Sequence, residues 1–219
     1  MLLTHKNIHR VILVTFISAI VVVCVIAYRN FGMWLVASDP LPPSLDAYFT
    51  FASDNERILY SKHLYKRYSA ALWVLSYPRK RILVPLRKAG LDTSRIVVMD
   101  TCANTSSEVA CIVNWANTAL RDSASAPARK LAAKTKYSPG STLRIGLVSS
   151  PYHMRRIKVL FSGRRPDKRA EFFFLPVPFW LCGMKKSDYE TWWKNKALAP
   201  VVWMEVEKIA YLFWRGLWG

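Results

Sequence analysis

Residues 11–28 form one unbroken apolar run with no charged side chain, relieved only by Thr15, Ser18 and Cys24. Eighteen helical residues at about 1.5 Å each reach roughly 27 Å, close to a hydrocarbon core of about 30 Å. Arg29 and Asn30 close the run, and Phe31, Trp34 and Leu35 suit the headgroup zone, where amphipathic rings settle. A secretory signal has a shorter apolar region, about 7–15 residues, ending in a small-x-small site. Val36-Ala37-Ser38 is a poor match that lies too far downstream. The pattern therefore predicts an uncleaved transmembrane helix over residues 11–28, after a short N-terminal segment, 1–10.

Beyond residue 46 the pattern changes to short apolar runs alternating with amphipathic stretches. Residues 47–52 (AYFTFA), 71–75 (ALWVL), 95–99 (RIVVM), 143–148 (LRIGLV) and 171–177 read as strands. Residues 55–67, 85–89, 105–120 and 151–161 read as the helices between them, with Gly90 closing the second. Continuous apolar strands alternating with helices predict an α/β domain over 47–219: a Rossmann-like, mostly parallel sheet of about five strands, covered on both faces. Residues 29–46 read as a juxtamembrane linker. Its Asp39-Pro40-Leu41-Pro42-Pro43 is stiff and extended, since proline fixes φ and bars a helix. Residues 121–139, rich in Ala, Ser and Lys, read as a loop-and-helix insertion on the surface. Near the C-terminus Trp203, Val206, Ala210, Phe213 and Leu217 recur at helical spacing, which predicts a face docked on the sheet; the alternative is that its tryptophans touch the bilayer.

Charge adds a partner class. The formal net charge is +18, dispersed in clusters such as Arg79-Lys80-Arg81, Arg155-Arg156 and Arg164-Arg165. Beside a membrane each such residue gains about 1 kcal/mol from anionic headgroups. The same charge also fits a solvated basic surface with no specific partner. None of the usual nucleic-acid motifs is present, so nucleic acid is not expected. Lys6 and Arg10 precede the apolar run and Arg29 alone follows it closely. The positive-inside rule then places the N-terminus in the cytoplasm, across an inner or plasma membrane, with the domain periplasmic or extracellular. Cys24 lies in the run, leaving Cys102, Cys111 and Cys182 without CxxC spacing, which predicts neither a disulfide framework nor a metal site.

In a parallel sheet, ligands bind beyond the carboxyl ends of the strands. Three such ends are polar here. The first reads Ser53-Asp54-Asn55-Glu56-Arg57 and the second Asp100-Thr101-Cys102-Ala103-Asn104-Thr105 with Glu108 one turn on. The third reads Ser149-Ser150-Pro151-Tyr152-His153-Met154-Arg155-Arg156. Part of this starts helices: Thr105-x-x-Glu108 and Ser53-x-x-Glu56 read as capping boxes, and Ser150-Pro151 as an N-cap with proline at the first helical position. Caps leave Asn104, His153 and Arg155-Arg156 unexplained. Ser53, Asp54, Arg57, Asn104, Thr105, Ser149, Ser150, Tyr152 and Arg156 are candidate ligand-binding residues. His153 is a candidate general acid or base, with Asp100 or Glu108 orienting it.

The two motifs, Asn104-Thr105 with Glu108 and then Ser149-Ser150-Pro151-Tyr152-His153-Met154-Arg155-Arg156, resemble the paired signature of the YdcF/ElyC/SanA family of bacterial envelope proteins. Members carry N-T-x-x-E and T-S-x-Y-H-M-x-R after successive strands, and Arg57 matches an arginine common in their first helix. The resemblance covers residues 47–219. It implies a Rossmann-like domain tethered by one N-terminal helix, with a role in envelope or surface-polysaccharide assembly and lipid-carrier metabolism. One branch is described as binding S-adenosylmethionine. This chain departs from the pattern where relatives carry glycines: it reads Phe51-Ala52-Ser53 after the first strand and Ser76-Tyr77 after the second. Glycine in such turns lets the backbone approach a phosphate, so the departure weakens a nucleotide cradle and S-adenosylmethionine with it. Three readings follow. The first is a module binding an anionic small molecule or lipid-linked phosphate; the second is a hydrolase or transferase acting on a phosphate or glycan ester. The third is a structural accessory of a polysaccharide or export complex with a degenerate cleft. Expected partners are membrane lipids, lipid-linked glycan or phosphate intermediates, and envelope-assembly membrane proteins.

Overall fold

The computed structural model describes residues 5–51, 54–76, 79–99, 102–122, 124–135 and 141–216. The apolar run forms the middle of one long helix, α1 (His5–Leu35). Its stretch Val11–Leu35, with a mean hydropathy of 3.0, is long and apolar enough to cross a membrane. The large apolar side chains from Val11 to Ile26 stand bare, whereas Leu35 is fully buried.

The tail of α1 is therefore core rather than linker. Tyr28, Phe31, Met33 and Leu35 pack with Tyr189, Trp192, Leu198, Val202 and Ile209. Trp192 Nε1 donates to the Tyr28 carbonyl at 3.0 Å, and Arg155 Nε donates to that of Trp34 at 2.8 Å. The second bond places a cation on a carbonyl of the final helical turn, where the dipole is negative. Gly32 makes this approach feasible, since a Cβ there would lie 2.2 Å from the Tyr189 carbonyl oxygen.

Residues 36–46 are extended, as the prolines require, but they are not a free spacer. Asp39 N donates to the Phe174 carbonyl and Asp39 Oδ2 accepts from Phe174 N, at 2.9 and 2.8 Å. Tyr68 donates to the Pro42 carbonyl at 2.6 Å, and Asp46 accepts from Arg144 N at 2.8 Å. An extended chain offers its backbone groups to neighbours, and here Asp39 covers part of the sheet edge left open beyond Phe174.

Five strands, β1 (Ala47–Thr50), β2 (Leu72–Ser76), β3 (Ile96–Met99), β4 (Leu143–Ser149) and β5 (Ala170–Pro176), form one sheet. It is wholly parallel, in the order β3-β2-β1-β4-β5. Side chains alternate across it. Phe49, Leu72, Val74, Ile145 and Leu147 pack on one face with α4 (Thr105–Arg121) and α6 (Met154–Ser162). Tyr48, Trp73 and Leu75 pack on the other with α2 (Asn55–Arg67) and α3 (Arg79–Lys88).

Three elements differ from the sequence reading. Helix α3 starts six residues before Pro85, because Ile82 and Leu86, one turn apart, are both buried and hold the helix through the proline. Gly90 follows it at φ 76°, a left-handed position suited to glycine. In the 121–139 segment, α5 (Ala126–Lys134) buries Ala128 and Leu131, so it belongs to the core as well as the surface. After the short α7 (Lys186–Glu190) comes α8 (Leu198–Trp214), which buries Leu198, Val202, Glu205 and Ile209. Trp203, Ala210 and Phe213 are exposed instead, and Leu217 lies outside the described residues. The buried stripe of α8 packs against α1 and α6, not mainly on the sheet. An ionic group on α6 draws Glu205 inward and sets the rotation of the helix.

Candidate functional site

The strand order reverses between β1 and β4, which opens the crevice where doubly wound sheets hold ligands. A cavity of about 250 Å³ lies there, lined by Phe51, Arg57, Thr105, Ser149, Tyr152 and His153 among others. The residues arrive by simple local routes. Ser149 ends β4, Pro151–His153 make one 3-10 turn, and Met154 starts α6. Proline at the first turn position fixes φ where the chain must swing from strand to helix.

Arg57, only 4% exposed, clamps the crevice. Its Nε donates to Ser150 Oγ at 3.0 Å, Nη1 donates to the Phe51 carbonyl at 3.4 Å, and Nη2 pairs with Asp54 at 3.0 Å. Ser150 Oγ in turn donates to Asp54 Oδ2 at 3.3 Å. Ser150 and Asp54 thus occupy N-cap positions without capping through their side chains; the guanidinium takes both instead. Asn104 does cap. Its Oδ1 accepts from Ser107 N at 2.9 Å, and Ser107 Oγ accepts from Asn104 N at the same distance. The capping box is therefore Asn104 with Ser107, one residue before the expected Thr105-x-x-Glu108, and Thr105 is the first helical residue.

The partner of His153 was not expected. Glu205, fully buried on α8, lies with Oε2 3.1 Å from His153 Nδ1 and 2.7 Å from Arg156 Nε, while Oε1 is 3.1 Å from Lys208 Nζ. Arg156 Nη2 also stands 3.1 Å from His153 Nδ1. Burial pushes the carboxyl of Glu205 up, but the His153 hydrogen bond and the adjacent cations outweigh it and hold the group at about 2. Burial depresses His153 below its ordinary 6.5; Glu205 opposes this, and the charges of Arg57 and Arg156 reinforce it. With its proton on Nδ1 the neutral ring donates to Glu205 and leaves Nε2 to accept, as a general base requires; with its proton on Nε2 it accepts from Arg156 at Nδ1 instead.

Ser149 supplies the other signal. Its side chain is 1% exposed, it lines the cavity, and its Oγ has no hydrogen-bond partner. Leaving a buried hydroxyl unpaired costs about 1–3 kcal/mol, so the position calls for a ligand group or water.

The remaining candidates separate. Tyr152 lies tilted against His153 with ring centroids 4.5 Å apart, and it also packs in the cluster that holds the end of α1. Glu108 is buried one turn into α4 and raises the Cys102 thiol. Burial is the larger cause there, with Cys111 adding to it, and the thiol reaches about 12. Ser53 and Asp100 lie outside the described residues. Glu205 had a legible signal: an acid at the spacing of Leu198, Val202 and Ile209, inside an otherwise apolar stripe.

No group of three or more potential metal ligands occurs among the described residues. The residues present do not fit S-adenosylmethionine. The buried Phe51 lines the crevice just after β1, where a nucleotide cradle needs glycine so that the backbone can approach the ligand. Comparison with known proteins adds no relative: no family model, no curated protein and no solved structure matches the chain.

Proposed function

We propose that this chain is a single-pass envelope protein whose α/β domain binds an anionic group, a small molecule or a lipid-linked phosphate, at the membrane surface. The unpartnered Ser149 hydroxyl carries this reading. It sits in a small cavity with His153 and the Arg57–Asp54 ion pair, and a phosphate oxygen would satisfy it. An anchor is favoured over a cleaved signal because cleavage at Val36-Ala37-Ser38 would remove Tyr28, Phe31, Met33 and Leu35 from the cluster around Trp192. Lys6 and Arg10 argue for a cytoplasmic N-terminus and a domain on the far side. The motif resemblance to the YdcF/ElyC/SanA family adds the role in surface-polysaccharide or lipid-carrier metabolism.

The test is phosphate binding to the full chain in nanodiscs. Ser149→Ala should weaken it about tenfold while leaving the melting midpoint near wild type, and His153→Ala should weaken it about tenfold at a lower midpoint, since it removes a partner of the buried Glu205. Unchanged affinity in both variants would sink the reading.

One observation favours a hydrolase or transferase on the same site: His153 oriented by the buried Glu205. Turnover of a phosphate or glycan ester would then rise with pH as His153 loses its proton and level off below neutrality. A pH profile without that rise excludes His153 as the base.

A further inference from the structure

We infer that Cys102 and Cys111 form an oxidisable pair, and that closing it into a disulfide pins the turn before α4 to the helix. No CxxC spacing announces the pair; the fold makes it. Cys102 stands two residues before the Asn104 cap of α4, and Cys111 lies on the helix itself. The Cys102 thiol is hydrogen-bonded to that of Cys111 and to Ser76 at the end of β2. Glu108 and Cys111, neighbours one turn apart on α4, both act on Cys102, so this cysteine lies back along the first turns of the helix. Both thiols are free and half-buried.

A small disulfide such as oxidised glutathione closes the pair. Burial pushes the Cys102 thiol up to about 12, so Cys111 makes the first attack. Its thiolate bonds to one sulfur of the oxidant and releases the other as a thiolate. Cys102 Sγ then attacks Cys111 Sγ and displaces the second half of the oxidant. The two cysteines lose two electrons and two protons, and the oxidant becomes two thiols. The ring so closed contains Asn104, which caps α4, and Thr105, which lines the crevice, so the bond fixes a wall of the site. Such a bond persists in an oxidising compartment, so its closure in the cell rests on the proposed placement of the domain outside the cytoplasm.

The experiment equilibrates the full chain in nanodiscs with reduced or oxidised glutathione, quenches it in acid, alkylates it in denaturant and cuts it after Glu108, between the two cysteines. Oxidation should protect both from alkylation and keep the two fragments joined until dithiothreitol is added. It should also raise the melting midpoint by about 5 °C, as closing a short loop does. Cys111→Ala should abolish the protection of Cys102 and the rise together; Cys102→Ala should do the same for Cys111, and serves if the helix variant fails to fold. Full alkylation of both cysteines after oxidised glutathione, or Cys102 joined to Cys182 instead, overturns the pair. A pair that closes in the nanodisc but is open in acid-quenched cells supports the pair and overturns the external placement of the domain.

Discussion

A single buried carboxylate organises the chemistry of the site. Glu205 faces His153, Arg156 and Lys208 at once, so neutralising it leaves two cations and a ring without their common partner. Glu205→Gln is expected to destabilise the domain by about 3 kcal/mol in denaturant unfolding, the scale for breaking a buried pair. The same change should move the His153 titration further down, because Glu205 raises it, whereas Arg156→Gln should move it up; histidine NMR reads both. The pH dependence of stability follows from the directions. Glu205, at about 2 in the fold against an ordinary 4.5, contributes stability that is complete above about pH 4.5 and lost as pH falls towards 2. His153, held below 6.5, contributes stability that is complete above 6.5 and lost as pH falls below it. Both groups bind more protons unfolded, so the melting midpoint should drop on acidification from pH 7. A midpoint constant down to pH 4 would contradict the buried arrangement.

At the scale of elements, the junction between α1 and the domain is the distinctive one. The helix enters the cluster of Tyr189, Trp192 and Val202 through Gly32 and is held there by Trp192 and Arg155. Gly32→Ala places a methyl against a backbone carbonyl, which cannot yield as a flexible side chain would. A cost of about 1–3 kcal/mol is expected, with faster hydrogen exchange in α7 and the turn at Trp192 than in the sheet. The start of α4 offers a cleaner separation of roles. Asn104→Ala should cost about 1 kcal/mol through the lost cap, and any further loss of ligand affinity at equal stability would assign Asn104 to binding as well.

For the whole molecule the consequence is geometric. Because residues 28–35 continue the apolar helix straight into the core, the domain has no slack tether and sits directly at the end of the bare stretch. Arg155, beside the Tyr152–His153 turn, touches the packed end of α1 at Trp34, about 12 Å along the helix from the bare stretch. With the charge of +18, this position favours an anionic bilayer surface. The proposed orientation predicts that a reporter fused to the C-terminus is active only outside the cytoplasm; activity of a cytoplasm-only reporter would reverse it.

The long apolar run, the five strands and the polar strand ends could all be read from the chain itself. Each is written in residues a few positions apart: eighteen apolar side chains in succession, continuous β-formers, a proline after Ser150. Parallel order follows nearly as directly, since strand and helix alternate along the chain. Other features depend on groups distant in sequence. The tertiary structure alone brought Glu205 to Arg156, 49 residues away, and so rotated α8 to bury an acid while exposing Trp203 and Phe213. It alone bound Asp39 to Phe174 of β5, 135 residues away. Local pattern sets which elements form. The cost of burying a charge or a backbone group without a partner sets how they turn towards one another.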